Sequence, residues 1–144
     1  MIPEFGPRNS GREYVLRPGA YALILDSGGR IVVVETPEGC FLPGGGLDSG
    51  ESAEAAVVRE VMEECGLEIE LTGSLGTADQ LLERAGEERG LRKRCAFFRA
   101  RVEGASRSPS EPDHALLWVT MEEGDRRLTH ECHSWAVRRL CEGA

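Results

Sequence analysis

The stretch that decides the fold runs from Gly45 to Leu67 and reads GGLDSGESAEAAVVREVMEECGL. Within it, Val57, Val58, Val61, Met62 and Cys65 recur at helical spacing, which predicts one helix over Ala53 to Cys65 with an apolar stripe turned inward. Gly66 follows at the place where a helix end favours a left-handed residue. Glu60, Glu63 and Glu64 stand at i, i+3 and i+4, so their carboxylates project from one face. Like charges at that spacing repel by tenths of a kcal/mol per pair, and a hard divalent cation is the natural occupant of such a cluster. Oxygen donors suit Mg²⁺ or Mn²⁺. Glu51 and Arg59 are the right types for an ion pair that fixes the preceding loop to the helix. Pro43-Gly44-Gly45-Gly46 precedes them, and its glycines let backbone approach a ligand.

Around this stretch, short apolar runs read as strands. Tyr21 to Leu25 and Ile31 to Val34 flank the turn Asp26-Ser27-Gly28-Gly29 and predict a β-hairpin in a buried sheet. Phe41-Leu42 is a short strand leading into the glycines. Leu67 to Leu71, Cys95 to Val102 and Leu116 to Val119 read as further strands, and residues 83–94 as an exposed loop or hairpin tip. Ser106 to Asp113 reads as a loop. Thr129 is placed to cap a last helix that carries Trp135, Ala136 and Leu140 inward. Residues 1–12, rich in Pro, Gly and polar side chains, read as a loosely held arm. The expected organisation is an N-terminal arm over 1–17 and a single domain over 18–144, of α/β class, with a mixed β-sheet flanked by helices.

The chain has 144 residues, enough for one self-sufficient core. No apolar run approaches the ~20 residues a membrane-spanning helix needs, and no secretory leader is visible. Seventeen basic against 25 acidic residues give a net charge of -8, which argues against bulk nucleic-acid binding. A phosphorylated small substrate remains open to an acidic protein that enlists a cation. Five cysteines with no CxxC pair read as reduced thiols of a cytoplasmic protein, mostly filling the core. Arginine outnumbers lysine 16 to 1, which reads as the mark of a GC-rich coding sequence; phosphate contact needs only two or three of them.

Together, Gly45, Glu51, Arg59, Glu60, Val61, Glu63, Glu64, Gly66 and Leu67 resemble the Nudix hydrolase box with no departure. Chance assembly of that spacing in this composition is roughly a 10⁻⁵ event. The resemblance implies a Nudix-type α/β/α sandwich and Mg²⁺- or Mn²⁺-dependent hydrolysis of a nucleoside diphosphate linked to another moiety, a sanitising activity among the possibilities. It implies Glu60 and Glu64 as principal metal ligands, Glu63 as an additional one, and the Gly45 carbonyl as a further donor. Glu51 and Arg59 orient the box. The general base is Glu64 or Glu63, or a glutamate of a later loop: Glu83, Glu87, Glu88 or Glu111. A homodimer is compatible with the resemblance.

Substrate-side candidates are Gly44 and Gly45, Phe41 as the aromatic nearest the glycines, and Arg92 and Arg94, which open a strand in the run Arg92-Lys93-Arg94. His130, Cys132 and His133 lack a fourth zinc ligand at convincing spacing, so capping and packing account for them. The competing function is a catalytically silent domain of the same kind that binds a nucleotide as a sensor. The complete glutamate set speaks against it, since a pure binder has no need of all four. Isomerisation of an allylic diphosphate would need a cysteine facing a glutamate, and the spacing of Cys40 and Cys65 does not point there.

Overall fold

A computed structural model describes residues 1–9, 11–105 and 113–143. In chain order the elements are β1 (Glu4–Phe5), β2 (Tyr14–Ile24), β3 (Arg30–Thr36), β4 (Gly39–Phe41), β5 (Gly44–Gly46), α1 (Ala53–Cys65), β6 (Leu67–Leu82), β7 (Gly90–Ala105), β8 (Ala115–Thr120), α2 (Met121–Arg127) and α3 (Glu131–Glu142). They build a five-stranded mixed sheet, ordered β1-β6-β7-β2-β5, and a three-stranded antiparallel sheet, ordered β4-β3-β8. This is the α/β architecture with a mixed sheet and flanking helices that the sequence predicts.

Alternating residues of β2 and β3 divide between two cores. Tyr21, Leu23, Ile31 and Val33 pack with Ala136, Val137 and Leu140 of α3. Ala20, Ala22, Ile24, Val32 and Val34 pack with Ala56, Val57 and Val61 of α1. Both faces of each strand are therefore dry, which explains the unbroken apolar runs. Full burial of a side chain such as Val57 or Val61 contributes about 1.5–3 kcal/mol.

The expected hairpin is corrected. Asp26 Oδ1 accepts from the Gly28 and Arg30 amides at 2.9 and 2.8 Å, so the turn forms. Only Leu25 and Ile31 then bridge, and β2 and β3 part into different sheets. The edges of each strand are taken by other partners, β5 and β7 for β2 and β4 and β8 for β3, so the two do not continue as a ladder with one another.

The segment expected to be a loose arm is tied down. Glu4 and Phe5 pair in parallel with Asp79 and Gln80, and Glu4 accepts from both Arg8 and Arg92. β2 starts at Tyr14 and runs through Arg17 and Pro18 without a break, in parallel register with β7. β6 extends eleven residues past the expected end at Leu71, through register shifts near Gly73 and Gly76. The expected tip at residues 83–94 shrinks accordingly, because Gly90 to Arg94 are paired in β7. The loop read at Ser106–Asp113 lies outside the described residues except for Asp113.

Two helix ends also differ. Thr120 caps α2, accepting from the Glu123 amide at 3.1 Å, in a segment with no apolar periodicity to announce it. Thr129 does not cap α3; its hydroxyl accepts from the Cys40 amide at 2.9 Å, and His130 is the N-cap residue, without a side-chain cap bond. The end of β4 is thereby fastened to the start of α3.

Candidate active site

The helix α1 forms over the predicted residues because both ends are satisfied. Ser52 accepts from the Ala55 amide at 3.1 Å. Gly66 adopts φ 68° and its amide reaches the Met62 carbonyl at 2.9 Å. Ala56, Val57, Val61 and Cys65 form the buried stripe, while Val58 lies at its exposed margin. Burial pushes the Cys65 thiol up to about 12, so it stays protonated.

The opposite face holds Glu60, Glu63 and Glu64, and Arg59 sits at their edge. Its Nε and Nη2 donate to the two Glu51 oxygens at 2.8 and 2.9 Å. Its Nη1 donates to Glu60 at 3.0 Å and to Glu63 at 3.3 Å, and its Nη2 also reaches the Gly46 carbonyl at 3.3 Å. The Glu51 carboxyl further accepts from the Asp48 amide at 2.9 Å. The Arg59 guanidinium, then the Asp48 amide, hold the Glu51 pKa down to about 2; Glu51 in turn raises that of Arg59. One guanidinium therefore bolts the loop, the β5 backbone and the glutamate face together.

The glycines of β5 close the other side. A Cβ on Gly45 would stand 2.7 Å from the Glu60 carboxyl, so only glycine lets the strand lie against that group. The Gly44 amide donates to Glu64 Oε1 at 3.1 Å. Glu64 Oε2 lies 3.1 Å from His114 Nδ1. His114 follows an irregular segment and carries no motif of its own, so nothing in the sequence singles it out.

Glu64 opens onto a cleft of about 200 Å³ whose walls include Tyr21, Phe41, Lys93, His114 and His130. Phe41, the substrate-side aromatic expected from sequence, lines this cleft, as does Gly44. The Phe41 and His130 rings lie 5.0 Å apart. Thr36 and Glu38 add polar groups to the same wall. Burial, then the Lys93 charge, lowers the His130 pKa to about 4, and burial raises that of the Tyr21 phenol. Both are neutral at pH 7.

Arg92 and Arg94, expected at the substrate, are elsewhere. Both donate to buried Asp79, at 2.8 Å from Arg92 and at 2.9 and 3.0 Å from Arg94. Burial pushes the Asp79 carboxyl up, but the two guanidiniums outweigh it and leave it below the usual range. Alternation along β7 sends these arginines to one face and Lys93, between them, to the other. The lysine is the cation that reaches the cleft.

The later-loop base candidates divide. Glu83 is paired with Arg12 at 2.6 Å, and Glu87 and Glu88 line a shallow surface with Arg89. None of these three borders the Glu64 cleft. Glu111 lies outside the described residues. Cys132 and His133 adjoin Cys95, all three buried, while the His130 ring meets that of His133 edge-on at 5.3 Å and lines the cleft wall. His133 Nδ1 accepts from the Leu42 amide at 3.1 Å.

Comparison with known proteins places these observations. A family model for the NUDIX domain matches residues 15–140. A Bacillus subtilis (strain 168) protein, whose name proposes an 8-oxo-dGTP diphosphatase, is 31% identical over 104 residues, which is 71% of this chain and 65% of that protein. A Mycobacterium tuberculosis protein (strain H37Rv), named in the same way, is 37% identical over 83 residues, 57% of this chain and 54% of that one. The matches thus span somewhat less than two thirds of these relatives. Among solved structures, a MutT NUDIX hydrolase from Burkholderia pseudomallei shares 29% identity at TM-score 0.70 and covers 88% of this chain and 98% of its own. A NUDIX hydrolase from Nitrosomonas europaea has the same fold, at TM-score 0.72 and 19% identity, with 90% of each chain covered.

Proposed function

The chain belongs to the NUDIX family, and from that premise we propose that it hydrolyses a diphosphate bond joining a nucleoside phosphate to another group, with a divalent cation as cofactor. The observation that carries this reading is the convergence of Glu60, Glu63 and Glu64 with the backbone of Gly44 and Gly45, with Arg59 holding Glu60 and Glu63 and the Gly44 amide holding Glu64. The donors fit a hard cation. They are carboxylate oxygens, and the absence of a Cβ at Gly45 lets the strand lie against Glu60. Glu60 and Glu64 would be the principal ligands, with Glu63 and the Gly45 carbonyl as additional donors. Mg²⁺ or Mn²⁺ held there would neutralise diphosphate oxygens and ease attack at phosphorus.

The chain's own residues supply the remaining parts. Glu51 and Arg59 hold the glutamates in position, so little is left to reorganise when the substrate enters. Glu64, oriented by the Gly44 amide and by His114, is the leading candidate to take a proton from the attacking water, and Glu63 is the second. Lys93 offers a positive charge to the phosphates. Phe41 and His130 offer ring faces to a nucleobase, and Thr36 and Glu38 offer polar groups to its edge. The names of the Bacillus and Mycobacterium relatives favour 8-oxo-dGTP as the first nucleotide to try.

The test is a turnover screen. Nucleoside triphosphates including 8-oxo-dGTP, dinucleoside polyphosphates, ADP-ribose and nucleotide sugars are incubated with Mg²⁺, with Mn²⁺, or with EDTA. Release of a nucleoside monophosphate that stops in EDTA is the expected result. Nucleotide binding without turnover of any of them would favour the sensor reading.

A further inference from the structure

We infer that Tyr21 is a catalytic residue outside the glutamate face, its hydroxyl donating a hydrogen bond to a phosphoryl oxygen of the substrate. The inference rests on the reading that a diphosphate is cleaved beside Glu64. The Tyr21 ring is fixed by packing, and its oxygen takes no part in that packing. The side chain is 6% exposed, and its ring lies against those of His133 and Phe97, with centroids 4.6 and 6.1 Å away. Among the described residues, the hydroxyl has no hydrogen-bond partner. Tyr14, the other tyrosine, differs: its hydroxyl accepts from the Asn9 amide at 3.0 Å and donates to the Pro7 carbonyl at 3.4 Å. A phenol buried this far without a partner has lost much of its hydration for nothing in return, and a bound acceptor would restore the missing hydrogen bond.

Bare backbone on two sides leaves the edge of the ring open. A Cβ on Gly44 would stand 2.8 Å from Tyr21 Cδ1, and one on Gly19 would stand 3.3 Å from Cε2 and 3.6 Å from the hydroxyl oxygen. Gly44 borders the Glu64 cleft, Gly19 borders a second cavity of about 310 Å³, and Tyr21 borders both. The side chain therefore lies where the two spaces meet, with its hydroxyl toward Gly19. The place a Gly19 Cβ would take is also 3.1 Å from the Gly45 carbonyl oxygen. The hydroxyl and the carbonyl named above as a cation donor thus flank one gap.

The chemistry of that gap selects a phosphoryl oxygen. Lys93 Nζ lies 6.0 Å from the Tyr21 ring centroid and brings positive charge to the same place, which favours an anionic acceptor. A phosphoryl group carries several acceptor oxygens, so one can meet the hydroxyl while another meets a cation. Burial raises the phenol pKa, so the group keeps its proton and can donate. Phenylalanine would fill the same space without the donor.

Tyr21→Phe in the full chain tests this, because it removes the oxygen alone. No group of the described protein bonds that oxygen, so the variant's Tm should equal or exceed that of the parent. Binding is measured by calorimetry with Mg²⁺ and an α,β-methylene nucleoside triphosphate, whose α–β link cannot be hydrolysed. The variant's Kd should be at least tenfold weaker, the scale of one hydrogen bond to a charged group. Inorganic imidodiphosphate, which has no nucleoside, should weaken in the same proportion. A parent-like Kd in the variant, a lowered Tm, or a parent that binds neither probe overturns the inference. Weakening confined to the nucleotide probe also overturns it, since the hydroxyl would then contact the nucleoside. Failure of the hydrolase reading shows differently, as absent turnover by the parent or as an active Glu64→Gln, and the Tyr21 result is read from Kd and Tm in either case.

Discussion

Arg59 grips Glu51 with two parallel hydrogen bonds, at 2.8 and 2.9 Å, and with the same guanidinium touches Glu60 and Glu63. The loop before α1 and the glutamate face on it are thus set by one side chain. Lysine can keep the charge but not the fork. Arg59→Lys is expected to retain the helix by circular dichroism and to lose activity by about 10²-fold, the scale of a small misplacement of reacting groups. Parent-like kcat/KM in that variant would show that the clamp does not position the site.

Stability should respond to acid in two windows. His130 has its pKa lowered from 6.5 to about 4 by burial, and burial also lowers that of His133. The unfolded chain takes up protons below 6.5 that the folded chain refuses, so stability is complete above that pH and is lost as pH falls toward 4. The slope is roughly 1.4 kcal/mol per pH unit for each such histidine. Glu51, held at about 2 rather than 4.5 chiefly by Arg59, adds stability above 4.5 that is lost as pH falls toward 2. Urea unfolding between pH 7 and pH 5 checks the first window; His130→Asn should reduce its slope by about half, leaving the His133 part, and an unchanged slope would count against it.

Gly45→Ala places a methyl 2.7 Å from the Glu60 carboxyl and must displace it or β5. The variant is expected to fold, with Mn²⁺ affinity reduced at least tenfold by electron paramagnetic resonance. Unchanged affinity would mean that Glu60 does not face the cation.

Lys93 and Arg94 are neighbours with opposite duties. Arg94→Gln removes a partner of buried Asp79 and should cost about 1–3 kcal/mol of stability with little change in KM. Lys93→Gln should raise KM with little change in Tm. If Arg94→Gln raised KM instead, the assignment of the two faces of β7 would be wrong.

The sequence was most informative where local and global signals agree. In α1 an apolar stripe and a terminal glycine specify one helix, and it forms over the 13 residues expected. The box glutamates were legible because their crowding makes little sense without a positive partner. β6 beyond Leu71 was hidden because Gly73 and Gly76 imitate a turn while marking register shifts, and because Asp79 and Gln80 are polar yet buried. Asp79 is satisfied by two arginines from β7, and Gln80 accepts from the Cys132 amide, partners far off in sequence. α2 did leave a trace, the Thr120-x-x-Glu123 capping pattern, which apolar periodicity does not register. His114 left none, since only tertiary folding brings it to Glu64. The divergence of β2 from β3 was equally out of reach: a turn with ideal chemistry says where the chain reverses, not how long the strands stay paired.

We propose that the glutamate face of α1 catalyses metal-dependent diphosphate hydrolysis. Its most direct test is Glu64→Gln beside the parent, with the best substrate from the screen and saturating Mg²⁺. Glutamine retains an oxygen for the Gly44 amide but loses the negative charge, so the fold should persist and kcat should fall by at least about 10³-fold. A folded Glu64→Gln protein that turns over as fast as the parent would contradict the account.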